Sequence, residues 1–390
     1  MTARTRGGSQ VNTPRKFSNK IVWVLSIFLL IAGFIVISRV LLLGSYPDFT
    51  NYYYGTIAFL HGQNPYLGMA KVFAPFAYPP FLFIILSPLT VLPFIIAGKV
   101  WATLSILFFL ASLYVLITVC DGHKPDHMTV IAIAILVATF FPAKFALGMG
   151  QINMLILLGV ASFFYLEKKK LDFAAGIVLA VAMSVKLFPI LFIPWLILRR
   201  RWQILGGCIT GLMVCYGVLE ILGYGRLIGY YYVHVFPAVA SGWKSDYYNQ
   251  SLSGFLAREV TNDAVRRLAE IAAGFGIVIA TFISIVSSKD RKRFILEGSL
   301  VLVANVLINA FSWQHHFVWI IPALIAVWFA VREFHVSWLL RTILFVGYVL
   351  VASNIRNPDA VPVLLRSHVF YGALLLWGGL LWIIMRRYHR

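Results

Sequence analysis

The chain has 390 residues, of which 61% are hydrophobic and 12% charged, and its mean hydropathy is +0.85. Soluble domains carry about 25% charged residues. The composition therefore excludes an ordinary water-soluble enzyme, and repeated apolar runs of roughly 17–25 residues point to an all-α polytopic membrane protein. The net charge of +19 does not mark a nucleic-acid binder, because the basic residues sit in short loops between apolar runs rather than along one face.

Residues 1–19 carry Arg4, Arg6, Arg15 and Lys16 and read as a disordered cytoplasmic tail. The apolar run Ile21–Leu43 is longer than the hydrophobic region of a cleaved signal peptide, so it reads as an uncleaved first span. Residues 20–390 are then one membrane-embedded domain. Further apolar runs occupy about 77–94, 97–119, 128–146, 151–166, 172–185, 187–198, 203–222, 264–287, 294–311, 313–331, 337–353 and 367–385. Basic loops at Lys168–Lys170, Arg199–Arg201, Lys289–Arg293 and Arg386–Arg387 belong on the cytoplasmic side. Alternation from residue 128 then places CDGHKPDH (120–127) inside as well. Only an odd number of crossings fits between Ser45 and residue 120, so one run in that stretch does not cross. The run 77–94 is the better candidate, since Pro79, Pro80, Pro88 and Pro93 interrupt it. About twelve crossings result, with both termini cytoplasmic. Two long extracytoplasmic segments remain, 44–96 with interfacial helices and 223–263. Twenty Lys and Arg fall in the loops placed inside and eight in those placed outside. The three cysteines, Cys120, Cys208 and Cys215, lie in or beside apolar segments without disulfide or metal spacing.

This topology gathers five polar clusters at one membrane level. The first is Asp48 among tyrosines that include Tyr53 and Tyr78. Asp48 reads either as a reactive carboxylate or as the cap of the helix that FTNYYYGTIAFL begins. The second is Gly150-Gln151-Ile152-Asn153, whose amides either read substrate or bridge helices. The third is Lys186 in SVKLFP. An ionisable residue between two apolar runs is functional by default, with snorkelling to the interface as the alternative. The fourth is 241–258, with Lys244, Asn249 and Gln250, the two amides either contacting substrate or closing a turn. The fifth is SWQHHF (312–317), with Trp313, His315 and His316. The adjacent histidines point different ways and lack a nearby carboxylate, so a metal is not expected. The triple tyrosine 230–232 reads as an interfacial belt.

A carboxylate can deprotonate a hydroxyl nucleophile. A lysine with histidine can hold a phosphate and stabilise charge as it departs. Amides can read sugar hydroxyls, and aromatic faces suit sugar rings. The set describes sugar transfer from a lipid phosphate. Neither a GxGxxG on a strand nor a phosphate-binding Walker loop occurs, so a nucleotide-sugar donor has no support.

At this point a family resemblance emerges. The stretches PDFTNYYYGTIAFLHGQNPY (47–66), FAYPPFLFIILSPLTVLP (76–93), GQINMLILL (150–158), AAGIVLAVAMSVKLFPILFIPWLILRRRW (174–202), NQSLSGFLAR (249–258) and SWQHHFVWIIPAL (312–324) occur in order. Together they resemble the bacterial polyprenol-phosphate-sugar-dependent membrane glycosyltransferases of the GT-C class, α-1,2-mannosyltransferase-like group. Relatives there include the mycobacterial phosphatidylinositol mannoside mannosyltransferase and an arabinofuranosyltransferase. The resemblance implies a GT-C fold and a catalytic Asp matched by Asp48. It further implies an inverting mechanism and a donor such as polyprenyl-phosphate-mannose. Lys186, His315, His316, Gln151, Asn153, Asn249, Gln250 and Lys244 would face the donor, with Tyr53, Tyr78 and Trp313 as an aromatic platform. Many members carry an acidic pair in the first loop where this chain has Asp48 alone, which weakens any metal requirement. No cofactor is expected beyond the lipid-linked co-substrate. The acceptor would be a cell-envelope glycolipid or polysaccharide, and the location a bacterial plasma membrane with an extracytoplasmic site. The alternatives are a lipid or polysaccharide transporter or flippase, a related enzyme using arabinofuranose or another hexose, and a GT-C-like ligase or O-acyltransferase.

Overall fold

The computed structural model describes residues 19–67, 76–121, 125–241, 244–288, 294–334 and 336–386. All but one residue of the expected tail at 1–19 lies outside them, as do the basic segment 289–293 and Arg387. Among the described residues the chain is helical throughout, with one isolated β-bridge, Asn249 to Trp313.

The helices run α1 (Asn19–Leu43), α2 (Pro47–Leu60), α3 (Phe81–Leu86), α4 (Phe94–Asp121), α5 (His127–Thr139), α6 (Phe141–Met149), α7 (Asn153–Lys168), α8 (Asp172–Val185), α9 (Phe192–Leu198) and α10 (Trp202–Ile221). They continue as α11 (Gly225–Tyr230), α12 (Phe236–Ser241), α13 (Leu252–Glu259), α14 (Asp263–Ser287), α15 (Phe294–Ile308), α16 (Ile321–Glu333), α17 (Trp338–Ala352) and α18 (His368–Met385). A 3₁₀ segment, Gln314–Ile320, leads directly into α16.

Five of these helical stretches are long and apolar enough to cross a membrane, and seven are if each of two bent pairs counts as one span. The chain is thus a multi-pass membrane protein, but length alone does not reach the expected twelve crossings. The run 77–94, expected not to cross, becomes α3 and a 3₁₀ turn that together cover Phe81–Val91, and Pro88 and Pro93 end each piece. Among the runs expected to cross, the difference has local causes. The run 128–146 bends by 51° between α5 and α6, where Pro142 starts a new helix. The runs 172–185 and 187–198 form two short helical pieces separated by an extended Lys186.

Ion pairs tie the helix ends together at one end of the bundle. Arg201 bridges Glu167 at 2.7 Å and Asp172 at 2.9 Å, so the loops after α7 and after α9 lie side by side. Lys168 Nζ donates to the last carbonyls of α4, Thr118 at 2.9 Å and Val119 at 2.8 Å. Arg332, at the end of α16, pairs with Asp126 ahead of α5. Arg199 grips Glu297 of α15 through two nitrogens and also donates to Ile285 O at 2.8 Å. These contacts bring the basic loops Lys168–Lys170 and Arg199–Arg201 to one end, with the ends of α4, α14 and α16 and the starts of α5 and α15. The chain therefore rises along α8 to Lys186 and returns through α9, which puts Lys186 at the opposite end.

Glu297 is 1% exposed and also accepts from Trp195 Nε1 at 3.2 Å. Removing one partner of a buried ion pair strands the other charge. Glu297→Ala is expected to cost about 3–5 kcal/mol of stability, read as earlier thermal unfolding in detergent or nanodiscs.

The α8–α10 seam sets the height and tilt of that hairpin. A methyl group on Gly176 would stand 2.0 Å from Ile204 O, and one on Gly207 2.1 Å from Phe173 O. Backbones can meet this closely only where side chains are absent, as in the Gly-xxx-Gly contacts of membrane helices, and Gly207 and Gly211 form such a pair.

Candidate active site

The site forms where α2, the turn after α6, the end of α8 and the 3₁₀ segment 314–320 converge. Proline at the first helical position starts α2, with Tyr46 as N-cap. Asp48 sits inside the first turn and its side chain does not cap it. The turn after α6 depends on Gly150. Its φ is +71°, and a methyl group there would stand 2.9 Å from Cβ of both Tyr46 and Phe49. Trp101 Nε1 donates to the Gly150 carbonyl at 2.8 Å and pins the turn. Gln151 is thereby delivered against α2. Gly150→Ala meets both the left-handed backbone and the contact with α2. It is expected to abolish activity and lower the unfolding temperature together, measured on purified enzyme.

Gln151 Nε2 donates to Asp48 Oδ2. Its Oε1 accepts from Tyr52 and from Tyr78, each at 2.9 Å. Asp48 is 9% exposed, and among the described residues its Oδ1 has no hydrogen-bond partner and no cation is within ion-pair distance. Asp48 lies in the first turn of α2, which is not one of the five long spans. Burial pushes its carboxyl up to about 6, against the lowering effects of the Gln151 hydrogen bond and the Lys186 charge.

Lys186 lies across the site. Its Nζ is 2.8 Å from His316 Nε2, 4.8 Å from the centre of the Tyr78 ring and 4.7 Å from that of Trp319. Two aromatic faces stabilise the cation where water is scarce. His316 Nδ1 accepts the Trp313 backbone N–H at 3.2 Å, and its Nε2 faces Lys186 Nζ. His316 also stacks on Trp319 at 4.8 Å and 10°. Tyr78 joins the two halves: its hydroxyl serves the Asp48 side, and its face lies under Lys186.

The remaining expected residues surround this pair. His315 makes no hydrogen bond to Lys186, and its ring lies edge-on to Phe145 at 5.2 Å and to His316 at 4.5 Å. Asn153 Nδ2 donates to the His315 carbonyl at 3.0 Å, and Asn153 O accepts from Trp319 Nε1 at 3.2 Å, so Asn153 braces the 3₁₀ segment. Asn249 and Gln250 are fully buried with their amides spent on the main chain. Asn249 Nδ2 donates to Lys244 O and Ala310 O, while Gln250 Nε2 donates to Tyr247 O and Arg366 O. Gln250 N also donates to Ser312 O, and Gln314 N to Tyr248 O, a clasp that fixes the height of Trp313. The turn-closing alternative fits these two residues. Lys244 faces Glu270 at 3.8 Å, not the Asp48–Lys186 cluster. Tyr53 donates to Leu92 O at 2.7 Å and packs on Phe94, which places it in the wall behind α2. Trp313 stacks between Tyr248 and Phe311.

Tyr52 and Trp319 were not singled out from the sequence, although spacing could have found both. Tyr52 lies four residues after Asp48 and so shares its helix face. Trp319 lies three after His316, which a 3₁₀ segment stacks directly.

A family model described as Glycosyltransferase family 87 matches residues 76–376. The chain belongs to glycosyltransferase family 87. It is thus a membrane glycosyltransferase, and the transporter, flippase and acyltransferase alternatives fall away. The family-87 chain is similar to a polyprenol-phosphate-mannose-dependent alpha-(1-2)-phosphatidylinositol pentamannoside mannosyltransferase of Mycobacterium tuberculosis (strain CDC 1551 / Oshkosh). That likeness is 24% identity over 80% of this chain and 71% of the relative. A protein of the same description from Mycolicibacterium smegmatis is 25% identical over 80% of this chain and 74% of its own. A polyprenol-phosphate-mannose-dependent alpha-(1-2)-phosphatidylinositol mannoside mannosyltransferase of Mycobacterium tuberculosis (strain ATCC 25618 / H37Rv) is 24% identical over 72% and 69%. The matched region begins just before Tyr78 and takes in Gln151, Lys186 and His316. An apolar cavity of about 320 Å³ between α5, α16, α17 and α18 contains none of these residues.

Proposed function

We propose that this glycosyltransferase moves a mannosyl residue from a polyprenyl-phosphate donor to a hydroxyl of a cell-envelope glycolipid, with inversion, on the extracytoplasmic face. The observation that carries the reading is the pairing across Tyr78. On one side is a buried carboxylate with an open oxygen, and on the other a lysine in contact with a histidine. Asp48 Oδ1 takes the proton of the acceptor hydroxyl as that oxygen forms its bond to the anomeric carbon. The bond from that carbon to the phosphate oxygen breaks, and its electron pair leaves with the polyprenyl phosphate. Lys186 and His316 meet the added negative charge. One carboxylate suffices, because the phosphate departs without an acid. Displacement in line requires base and leaving group on opposite sides of the sugar, which fits an Asp48 and a Lys186 that share the site without pairing directly.

The mannosyl donor and the phosphatidylinositol mannoside acceptor class follow the names of the relatives. The extracytoplasmic side is supported by the basic loops Lys168–Lys170 and Arg199–Arg201 at the opposite end from Lys186. The test is transfer from radiolabelled polyprenyl-phosphate-mannose into membrane glycolipids by purified enzyme, with the product linkage read by NMR. A product that keeps the donor's anomeric configuration rules out single displacement. Transfer from the arabinofuranosyl donor alone replaces mannose.

A further inference from the structure

We infer that Gln151 is a positioning residue for Asp48: oriented by the hydroxyls of Tyr52 and Tyr78, its amide N–H holds Oδ2 and leaves Oδ1 as the oxygen offered to the acceptor. The inference rests on the reading of Asp48 as the base.

An amide side chain can turn over, exchanging its oxygen for its nitrogen. Here two hydroxyl donors converge on Gln151 Oε1, each at 2.9 Å. Turning the amide breaks both bonds and sets its oxygen against the carboxylate. The two tyrosines come from different elements, Tyr52 from α2 and Tyr78 from the segment before α3, so the orientation is held from two directions. Tyr52 and Gln151 are 0% and 4% exposed, which leaves little water to replace a lost bond. A carboxylate held at one oxygen by a fixed donor keeps its plane, and the free oxygen then points one way.

The arrangement also sets the pH at which Asp48 becomes a base. The groups facing Asp48 are Tyr52 on its own helix, Tyr78 before α3, and Lys186 at the end of α8, with His316 and His315 beyond it on the 3₁₀ segment. The α4 and α6 sides contribute Trp101 and the Gly150 turn, which do not titrate. Of these groups, Gln151 and Lys186 favour the charged carboxylate. Loss of Gln151 leaves burial less opposed, so the proton is lost at higher pH.

The test is the pH profile of kcat/KM for mannosyl transfer by Gln151→Leu and by the double variant Tyr52→Phe/Tyr78→Phe, each in the full-length enzyme. The double variant keeps every ring, including the face under Lys186, and removes only the hydroxyls. Gln151→Leu is expected to lose about tenfold at neutral pH, with its acid limb moved up by about one pH unit. The loss should then shrink as the pH rises. The tyrosine pair should shift the limb in the same direction by less. A loss equal at every pH, or a wild-type profile in both variants, overturns the positioning role. If Asp48→Asn is inactive while the Gln151→Leu profile is unmoved, this inference alone fails. If Asp48→Asn is fully active, the reading beneath it fails too.

Discussion

Asp48→Asn is expected to lower kcat for mannosyl transfer by about 10²–10⁴-fold, the usual contribution of a positioned general base. The substitution keeps size and the Gln151 contact, so the donor KM should stay near the wild-type value and the protein should unfold as before. Asn cannot take up the acceptor proton, so the loss falls on turnover. The pH dependence gives a second check. Burial has pushed the Asp48 carboxyl up to about 6. The carboxylate is the active form, so wild-type activity should be full well above that pH and fall as the pH drops through it. The residual activity of Asp48→Asn should show no such limb. Turnover within a few-fold of wild type would remove Asp48 from the base position.

Lys186→Gln is expected to lower kcat/KM for the lipid-phosphate donor by about 10²–10³-fold, and to weaken inhibition by the product polyprenyl phosphate in parallel. A charge placed where negative charge develops, away from water, contributes more than it would in solution. Two aromatic faces, those of Tyr78 and Trp319, hold the ammonium in place. Lys186→Arg should recover only part of the loss, because the guanidinium is a planar fork where the site holds a compact point charge. If Lys186→Gln leaves donor KM and product inhibition unchanged, the phosphate does not sit at Lys186.

The residues that the fold brings together around Asp48 and Lys186 were largely legible from residue type alone. Asp48 and Lys186 are ionisable groups beside apolar runs, where a charge is costly unless it is used. Gly150 with Gln151 reads as a turn bearing an amide, and His315-His316 as paired rings at a helix end. Roles were less legible. Asn249 and Gln250 look like sugar-reading amides in sequence, yet their groups are spent on carbonyls from distant segments, including Arg366 and Ala310. Lys244 looks like a phosphate ligand and instead faces Glu270. Nothing local distinguishes an amide that meets substrate from one that meets backbone. The partners come from elsewhere in the chain.

The sequence by itself determined that the chain is a multi-pass helical membrane protein, and ordered, family-like stretches pointed to a lipid-phosphate-dependent glycosyltransferase. Composition and run length follow from the cost of placing polar backbone and charge in hydrocarbon, so they are written residue by residue. Tertiary structure alone decided that Gln151 clamps Asp48, that His316 rather than His315 meets Lys186, and that Tyr78 joins the two halves. It also decided how several apolar runs break into short helices. Those outcomes depend on contacts between residues about 70 to 130 positions apart. No periodicity within one element carries that information, because it arises only when the helices pack.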